Sequence, residues 1–201
     1  MVGLKPKSQE TRQAVLESAI RAFARRGYAS TSVDAILEAT GLSKPTLYYY
    51  FENKAGLFRA ILAFAYDVTF RLMSEAAAKA ESPEQKLVNV AEALFVFAKA
   101  HEDLMRLVLA TLFAASSELP PRAIDLAKRR RNFELVLKIV DEAQKSGEFR
   151  TTYNSREIAQ AVFGAMSHQI RSHLIDPSEA LDRNRAERIV ALFCEGARRK
   201  N

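Results

Sequence analysis

The sequence predicts an all-α protein of about nine helices. Three observations carry that expectation. Apolar residues recur three and four positions apart through nearly the whole chain, the spacing of one helix face. Only 7 Gly and 6 Pro punctuate 201 residues, too few turn signals for a sandwich or barrel of short strands. No convincing strand, repeat or low-complexity tract interrupts the pattern.

The elements follow in order. Val15, Ala19, Ala22 and Phe23 stripe a first helix, which Arg25 and Arg26 favour in its last turn and Gly27 ends in the left-handed conformation. Thr31 and Ser32 are candidate caps for a short second helix from Val33 to about Thr40, broken by Gly41. Ser43 is a candidate cap for a third, with Pro45 tolerated in its first turn because no intrahelical donor is lost there. Asn53 caps a fourth, which the stripe Leu57, Ile61, Phe64, Val68, Leu72 carries towards Ala80. Ser82-Pro83 opens a fifth helix with Leu87, Val90, Ala91, Leu94 and Ala98. Leu104, Leu107, Val108 and Leu112 mark a sixth, before the breaker Glu118-Leu119-Pro120-Pro121. The seventh holds Ile124, Leu126, Phe133, Leu137 and Val140 and ends near Ser146-Gly147. Ile158, Val162, Met166 and Ile170 form the eighth, stopped before Asp176-Pro177; Ile189, Val190, Leu192 and Phe193 lie in the ninth.

Composition excludes several classes. The chain is 48% hydrophobic and 27% charged, enough to bury a core. One cysteine, Cys194, rules out an internal disulfide framework and a Cys-based zinc finger, and is expected to be a small buried hydrophobe. Charges interrupt every apolar run, so no membrane span is expected, and the N-terminus lacks the apolar core of a signal peptide. The default is a cytoplasmic protein. His101-Glu102-Asp103 lacks a metal-binding spacing, His168 and His173 are five apart, and no Gly-rich phosphate loop or catalytic triad is legible. No metal, cofactor or enzyme activity is expected.

Charge is placed unevenly. Residues 1–60 carry nine Lys/Arg against five acids, +4 of the net +6. A polyanion would bind that end. There, Thr31–Phe51 reads as short helix, Gly-containing turn and short helix, a helix-turn-helix pattern. Ile36, Leu37, Leu42 and Leu47 would lock the two helices together. Leu47 and Phe51, four apart, share the inward face. That turns Lys44, Pro45, Thr46 and Tyr48 outward, as a helix entering the major groove requires. Lys donates to guanine, the pyrrolidine ring packs on a thymine methyl, and Ser or Thr hydroxyls with the helix N-terminus hold phosphates. Tyr49 and Tyr50 would reach phosphates through their hydroxyls, Tyr50 with packing as its rival role, and Lys54 would clamp a further phosphate.

The stretch AFARRGYASTSVDAILEATGLSKPTLYYYFENKAGLFRAIL, residues 22–62, resembles the DNA-binding domain of TetR-family transcriptional regulators. The matching pieces are F-x-x-x-G-Y, the Thr-Ser pair before the second helix, G-L-S-K-x-T-L-Y-x-Y-F and N-K-x-x-L-F. The resemblance implies a similar helix count, a homodimer, double-stranded DNA with a palindromic operator, and a C-terminal domain around a hydrophobic ligand cavity. Carried to matching positions, it implies a phosphate contact at Thr31 or Ser32. It implies base and backbone contacts at Ser43, Lys44, Pro45, Thr46 and Tyr48, and backbone contacts at Tyr49 and Lys54. Tyr50 stands where many members have His and can still donate to a phosphate. The domain expectation is residues 1–52 for the helix-turn-helix, with helix four (53–80) as the link, and 53–201 for ligand binding and dimerisation.

After about Leu62 the resemblance is no longer specific. Phe70, Met73, Phe95, Met105, Phe113, Phe133 and Met166 suit a pocket for a small, largely apolar effector, with His101, His168 and Gln169 to orient it. For any single one of them, ordinary core is the favoured reading. Lys128-Arg129-Arg130-Arg131, the densest basic run, reads as a solvated helix face ahead of an anionic-ligand clamp. Helices eight and nine are apolar on more than one face, which predicts a four-helix dimer interface through Val162, Phe163, Met166, Ile170, Ile189, Val190 and Phe193; burial within one subunit is the rival reading. The expectation is a repressor released from DNA by its effector. The rivals are a regulator without a small ligand, an activator, a nonspecific DNA-coating protein, and an enzyme with an apolar pocket.

Overall fold

The computed structural model describes residues 6–115 and 117–197. Among them are nine helices and no extended strand: α1 (Pro6–Arg26), α2 (Val33–Glu38), α3 (Lys44–Phe51), α4 (Lys54–Ala77), α5 (Pro83–Ala100), α6 (Glu102–Ala110), α7 (Leu126–Lys145), α8 (Ser155–Ile175) and α9 (Arg183–Ala197). Three helices end earlier than their apolar stripes suggest. α2 stops at Glu38 because Gly41, at φ 65°, and the Leu37 carbonyl close its C-terminus. α4 stops at Ala77 and α6 at Ala110, so Leu112 lies in the following turn; Ile124 likewise precedes α7. No helix among the described residues is long and apolar enough to cross a membrane.

The chain divides into two compact units. One comprises the residues up to Ala65 with Asp103–Asp125; the other comprises Tyr66–Glu102 with the residues from Leu126 onward. α4 is continuous through the junction, and α6 belongs with the N-terminal helices.

In the first unit α1, α2 and α3 pack on one another. Val15, Leu16, Ala19 and Phe23 of α1 meet Ile36 and Leu37 of α2, Leu47 and Phe51 of α3, and Leu57, Phe58, Ile61 and Leu62 of α4, all buried. Rings close this core: Phe23 and Phe58 lie edge to face at 5.3 Å and Tyr28 and Phe58 at 4.9 Å. A buried hydroxyl ties α1 to α2, Ser18 Oγ donating to the Ile36 carbonyl at 2.7 Å.

In the second unit α5 is the central element, packed on α7, α8 and α9. Leu87, Val90, Ala91, Phe95 and Ala98 of α5 are without exposure, as are Val136 and Val140 of α7, Ala159, Val162 and Met166 of α8, and Ala186 and Val190 of α9. α8 starts at a capping box: the Asn154 side chain accepts from the helix N-terminus and the Glu157 carboxylate accepts from the Asn154 N–H at 3.1 Å. Cys194 is buried, as expected.

Candidate nucleic-acid interface

The turn entering α2 is built from inside. Gly27 at φ 75° ends α1, and Thr31, 1% exposed, donates its hydroxyl to the Gly27 carbonyl at 2.7 Å and the Ala22 carbonyl at 3.3 Å. Thr31 therefore cannot offer that hydroxyl to a phosphate, which corrects the expectation for it. Ser32 takes the exposed place, capping α2 by accepting from Ala35 N at 3.1 Å. Lys54 is corrected in the same way. Its ammonium donates to the Tyr28 carbonyl at 3.0 Å and the Thr31 carbonyl at 2.9 Å, and lies 4.3 Å from the centre of the Tyr28 ring. It pins the turn instead of reaching outward. Burial pushes the Tyr28 phenol above its usual ionisation range.

α3 has a buried face and an exposed one, as its spacing requires. Leu47 and Phe51 are buried, Arg12 of α1 covering the Phe51 ring at 5.1 Å. Ser43, Lys44, Pro45, Tyr48 and Tyr49 are exposed and Thr46 is half-buried; Tyr49, at 77%, is the most open aromatic of the helix. Ser43 precedes the helix in extended conformation and makes no side-chain cap; its Oγ instead lies 2.9 Å from Thr46 Oγ1. The first N–H groups of α3 thus gain no cap from Ser43, and Pro45 removes one donor outright. Tyr50 is half-buried with its hydroxyl 2.8 Å from Ser8 Oγ of α1, so its place is the α1–α3 seam rather than the exposed face.

One partner of Lys44 was not foreseen. Asp34 of α2 accepts its ammonium at 2.8 Å, both groups open to solvent, and this carboxylate, by hydrogen bond and by charge, holds the Lys44 ammonium protonated beyond its usual range. The only hint in the sequence is an acid in the first turn of α2.

The connection from α3 to α4 is tight. Glu52 sits at φ 63°, ψ −49°, and Asn53 N donates to the Phe51 carbonyl at 2.6 Å across it, a three-residue γ-turn in the form that strains a side chain. Asn53 then caps α4 by accepting from Gly56 N at 2.8 Å. A Cβ on Gly56 would stand 2.1 Å from the Phe51 carbonyl oxygen, so only glycine allows this approach.

The residues expected to line an effector pocket are divided between the two units. Met105 and Phe113 belong to the first unit, and Phe113 is 85% exposed because α6 has ended before it. In the second unit Met73, Phe95 and Met166 are wholly buried, with Phe70 and Phe133 half-buried and Phe133 6.2 Å from Phe163, edge to face. His168 is exposed and bonded along its own helix to Arg171 and Ser172, so it does not face the interior. Gln169 is half-buried. His101 caps α5 and lines an open cleft of about 540 Å³ together with Leu72, Asn89, Val96, Phe97 and Arg183.

The dimer expectation is also redistributed. Val162, Met166, Ile170, Ile189 and Val190 are buried within the chain, because α5 and α7 already cover that face of α8 and α9. Phe163 and Phe193 are half-buried. The apolar surface left open is different: Leu192, 73% exposed, with Tyr153, Ala161 and Phe193 in a groove of about 270 Å³ between α8 and α9. Among the described residues no group of His, Cys, Asp and Glu is arranged to hold a metal ion.

Comparison with known proteins adds to this geometry. The family model described as "Bacterial regulatory proteins, tetR family" matches residues 15–61, and that described as "YsiA-like protein, C-terminal region" matches residues 68–195. YdgC of Bacillus subtilis (strain 168), an uncharacterized HTH-type transcriptional regulator, is 25% identical over 177 residues, covering 86% of this chain and 85% of YdgC. The fatty acid degradation regulator FadR of Bacillus halodurans superposes with a TM-score of 0.82 at 19% identity, covering 98% of this chain and 100% of FadR. FadR of Bacillus subtilis, solved in complex with stearoyl-CoA, superposes at 0.75 with 18% identity, over 92% and 98% of the two chains. At these identities the two structures show likeness of fold.

Proposed function

The chain belongs to the tetR family of bacterial regulatory proteins, with a YsiA-like C-terminal region, and on that footing we propose that it is a homodimeric repressor released from a palindromic operator by an effector with a large apolar part. The observation that carries the DNA half is the exposed row Ser43, Lys44, Pro45, Tyr48 and Tyr49 at the opening of α3, with Leu47 and Phe51 anchoring its other side. Lys44 and Tyr48, four apart, share one face. Lys44 exchanges Asp34 for a base edge or a phosphate, while Tyr48 and Tyr49 hold the backbone from either side. Ser32 and the uncapped start of α3 supply hydroxyl and N–H groups for phosphates.

A palindrome requires two recognition helices in successive major grooves on one side of the duplex, roughly 34–36 Å apart. The open groove of Tyr153, Ala161, Leu192 and Phe193 supports dimerisation through α8 and α9, since a twofold contact buries it against its own copy. The apolar interior of the second unit, with Phe70, Met73, Phe95, Phe133 and Met166, supports an effector with a long apolar part; the similarity to a regulator solved with stearoyl-CoA points the same way. An effector that binds one spacing of the dimer better than another lowers DNA affinity by that difference in free energy.

The test is binding of the full chain to DNA from its own upstream intergenic region and to scrambled DNA at two salt concentrations. Sequence-selective binding by a dimer is the expected result. Equal, salt-steep binding to both fragments, with no selection from random sequence, makes it a nonspecific coating protein instead.

A further inference from the structure

The basic run Lys128-Arg129-Arg130-Arg131 is not uniformly a solvated face. Arg130 pairs with Glu134 one turn along α7, and Arg129 points to solvent. Lys128 and Arg131 turn together onto one carboxylate, Asp67 of α4, Lys128 in close contact and Arg131 Nη2 at 2.8 Å. Two cations therefore meet on one carboxylate. Hydrogen bonding from Lys128, seconded by Arg131, holds the Asp67 carboxyl below the usual carboxylate range.

Three further features make this more than a surface ion pair. Arg131 Nε is buried and has no partner, although side-on binding of an oxyanion uses Nε together with one terminal nitrogen. The guanidinium lies 4.0 Å from the centre of the Phe70 ring, which fixes its plane and gives the cluster an apolar wall. Beneath, Asn132 donates to Thr69 Oγ1 at 2.7 Å, but its own amide oxygen is buried without a partner. An unmet donor and an unmet acceptor thus lie on adjacent residues, under a half-exposed ionic mouth. Buried polar atoms left this way cost stability unless something fills them.

The geometry points to an anion-binding site at Lys128 and Arg131, in which Asp67 stands in for the carboxylate or phosphate of an apolar-chained effector. The incoming oxyanion takes Arg131 side-on through Nε, Phe70 meets the first part of the apolar chain, and the Asn132 oxygen accepts from a hydroxyl or amide N–H of the effector. Asp67 is displaced, and the ionic tie between α4 and α7 is cut. α4 is the helix that follows the recognition helix in the chain, so the exchange acts on an element that belongs to both units. This rests on the ligand-responsive reading above and specifies the effector's chemistry.

Calorimetry on the full chain with decanoate, decanoyl-CoA and the neutral decanol tests it. At least one anion binds saturably; decanoate alone identifies a free carboxylate, decanoyl-CoA alone a phosphate-bearing thioester. Asp67→Asn removes the internal competitor and tightens the anion at least fivefold. Arg131→Gln weakens it tenfold or more, and Lys128→Gln, at a half-exposed position, repeats the loss if Arg131→Gln fails to fold. Glu134→Gln, which breaks the neighbouring pair, changes nothing. Binding of neither anion, or an Asp67→Asn protein with unchanged or weaker affinity, overturns the site. Operator release is read by fluorescence anisotropy in the same samples. Release by decanol and anions alike, insensitive to Asp67→Asn, refutes this site and keeps the regulator reading; tight anion binding without release does the reverse.

Discussion

The salt dependence of DNA binding separates Lys44 from Lys54. Lys44 opens the recognition helix and Lys54 the helix after it, but the Lys54 ammonium is held by the Tyr28 and Thr31 carbonyls, whereas Lys44 is exposed, paired with the open carboxylate of Asp34. Each phosphate neutralised contributes about 0.9 to the slope of log affinity against log salt on duplex DNA. Lys54→Met should weaken operator binding by loosening the turn into α2 while leaving that slope unchanged. Tyr49→Phe, which removes an exposed phenol, should weaken operator and scrambled DNA equally, and Lys44→Ala should weaken the operator more than scrambled DNA. A Lys54→Met protein whose slope falls by about one would return Lys54 to the phosphate contacts. At this scale the sequence was readable where a role depends on near neighbours. Leu47 and Phe51 point inward because they are four apart on a helix. It was not readable for Tyr50 and Lys54, whose partners lie 42 positions away for Tyr50 and 23 and 26 for Lys54. A hydroxyl or ammonium that suits phosphate also suits a carbonyl, and only the fold says which is within reach.

Among the elements, the α3–α4 connection sets the geometry of the head. Its strained Glu52 and the close approach at Gly56 leave no room for another side chain. Gly56→Ala should cost roughly 1–3 kcal/mol, because the obstructing atom is a backbone carbonyl that cannot swing aside. Thermal unfolding of the variant gives the answer, and an unchanged midpoint would mean that the turn opens freely. Helix number, order and most starts were legible from capping residues such as Ser32, Asn53 and Ser82. The ends were harder. Leu112 and Ile124 continue an apolar spacing but sit outside helices, since spacing does not register where backbone hydrogen bonding stops.

For the whole molecule, Leu192→Glu is the decisive substitution. It places a charge in the open groove between α8 and α9 without touching the core, so the helical content should persist. Light scattering after gel filtration should report a monomer in place of a dimer, and palindromic binding should fall with it; a dimer that survives puts the interface elsewhere. The sequence expectation for this surface chose residues by apolarity alone. A helix apolar on two faces has two burial partners, and Val162 and Ile189 met theirs inside the chain because α7 packs on α8 and α5 on α9. The pocket expectation also chose by apolarity: Phe113 and Met105 are as apolar as Phe95, but belong to a different unit.

The γ-turn at Glu52 bears on how new operators could be acquired. With Asn53 bonded across the turn and Gly56 pressed on the Phe51 carbonyl, α3 has no slack with which to tilt against the start of α4. A change of DNA preference must then arise by exchanging side chains at 44, 45, 48 and 49 on a fixed platform. A library randomised at those four positions should yield new specificities with little loss of stability, whereas one randomised at 52–56 should yield mostly proteins that fold poorly.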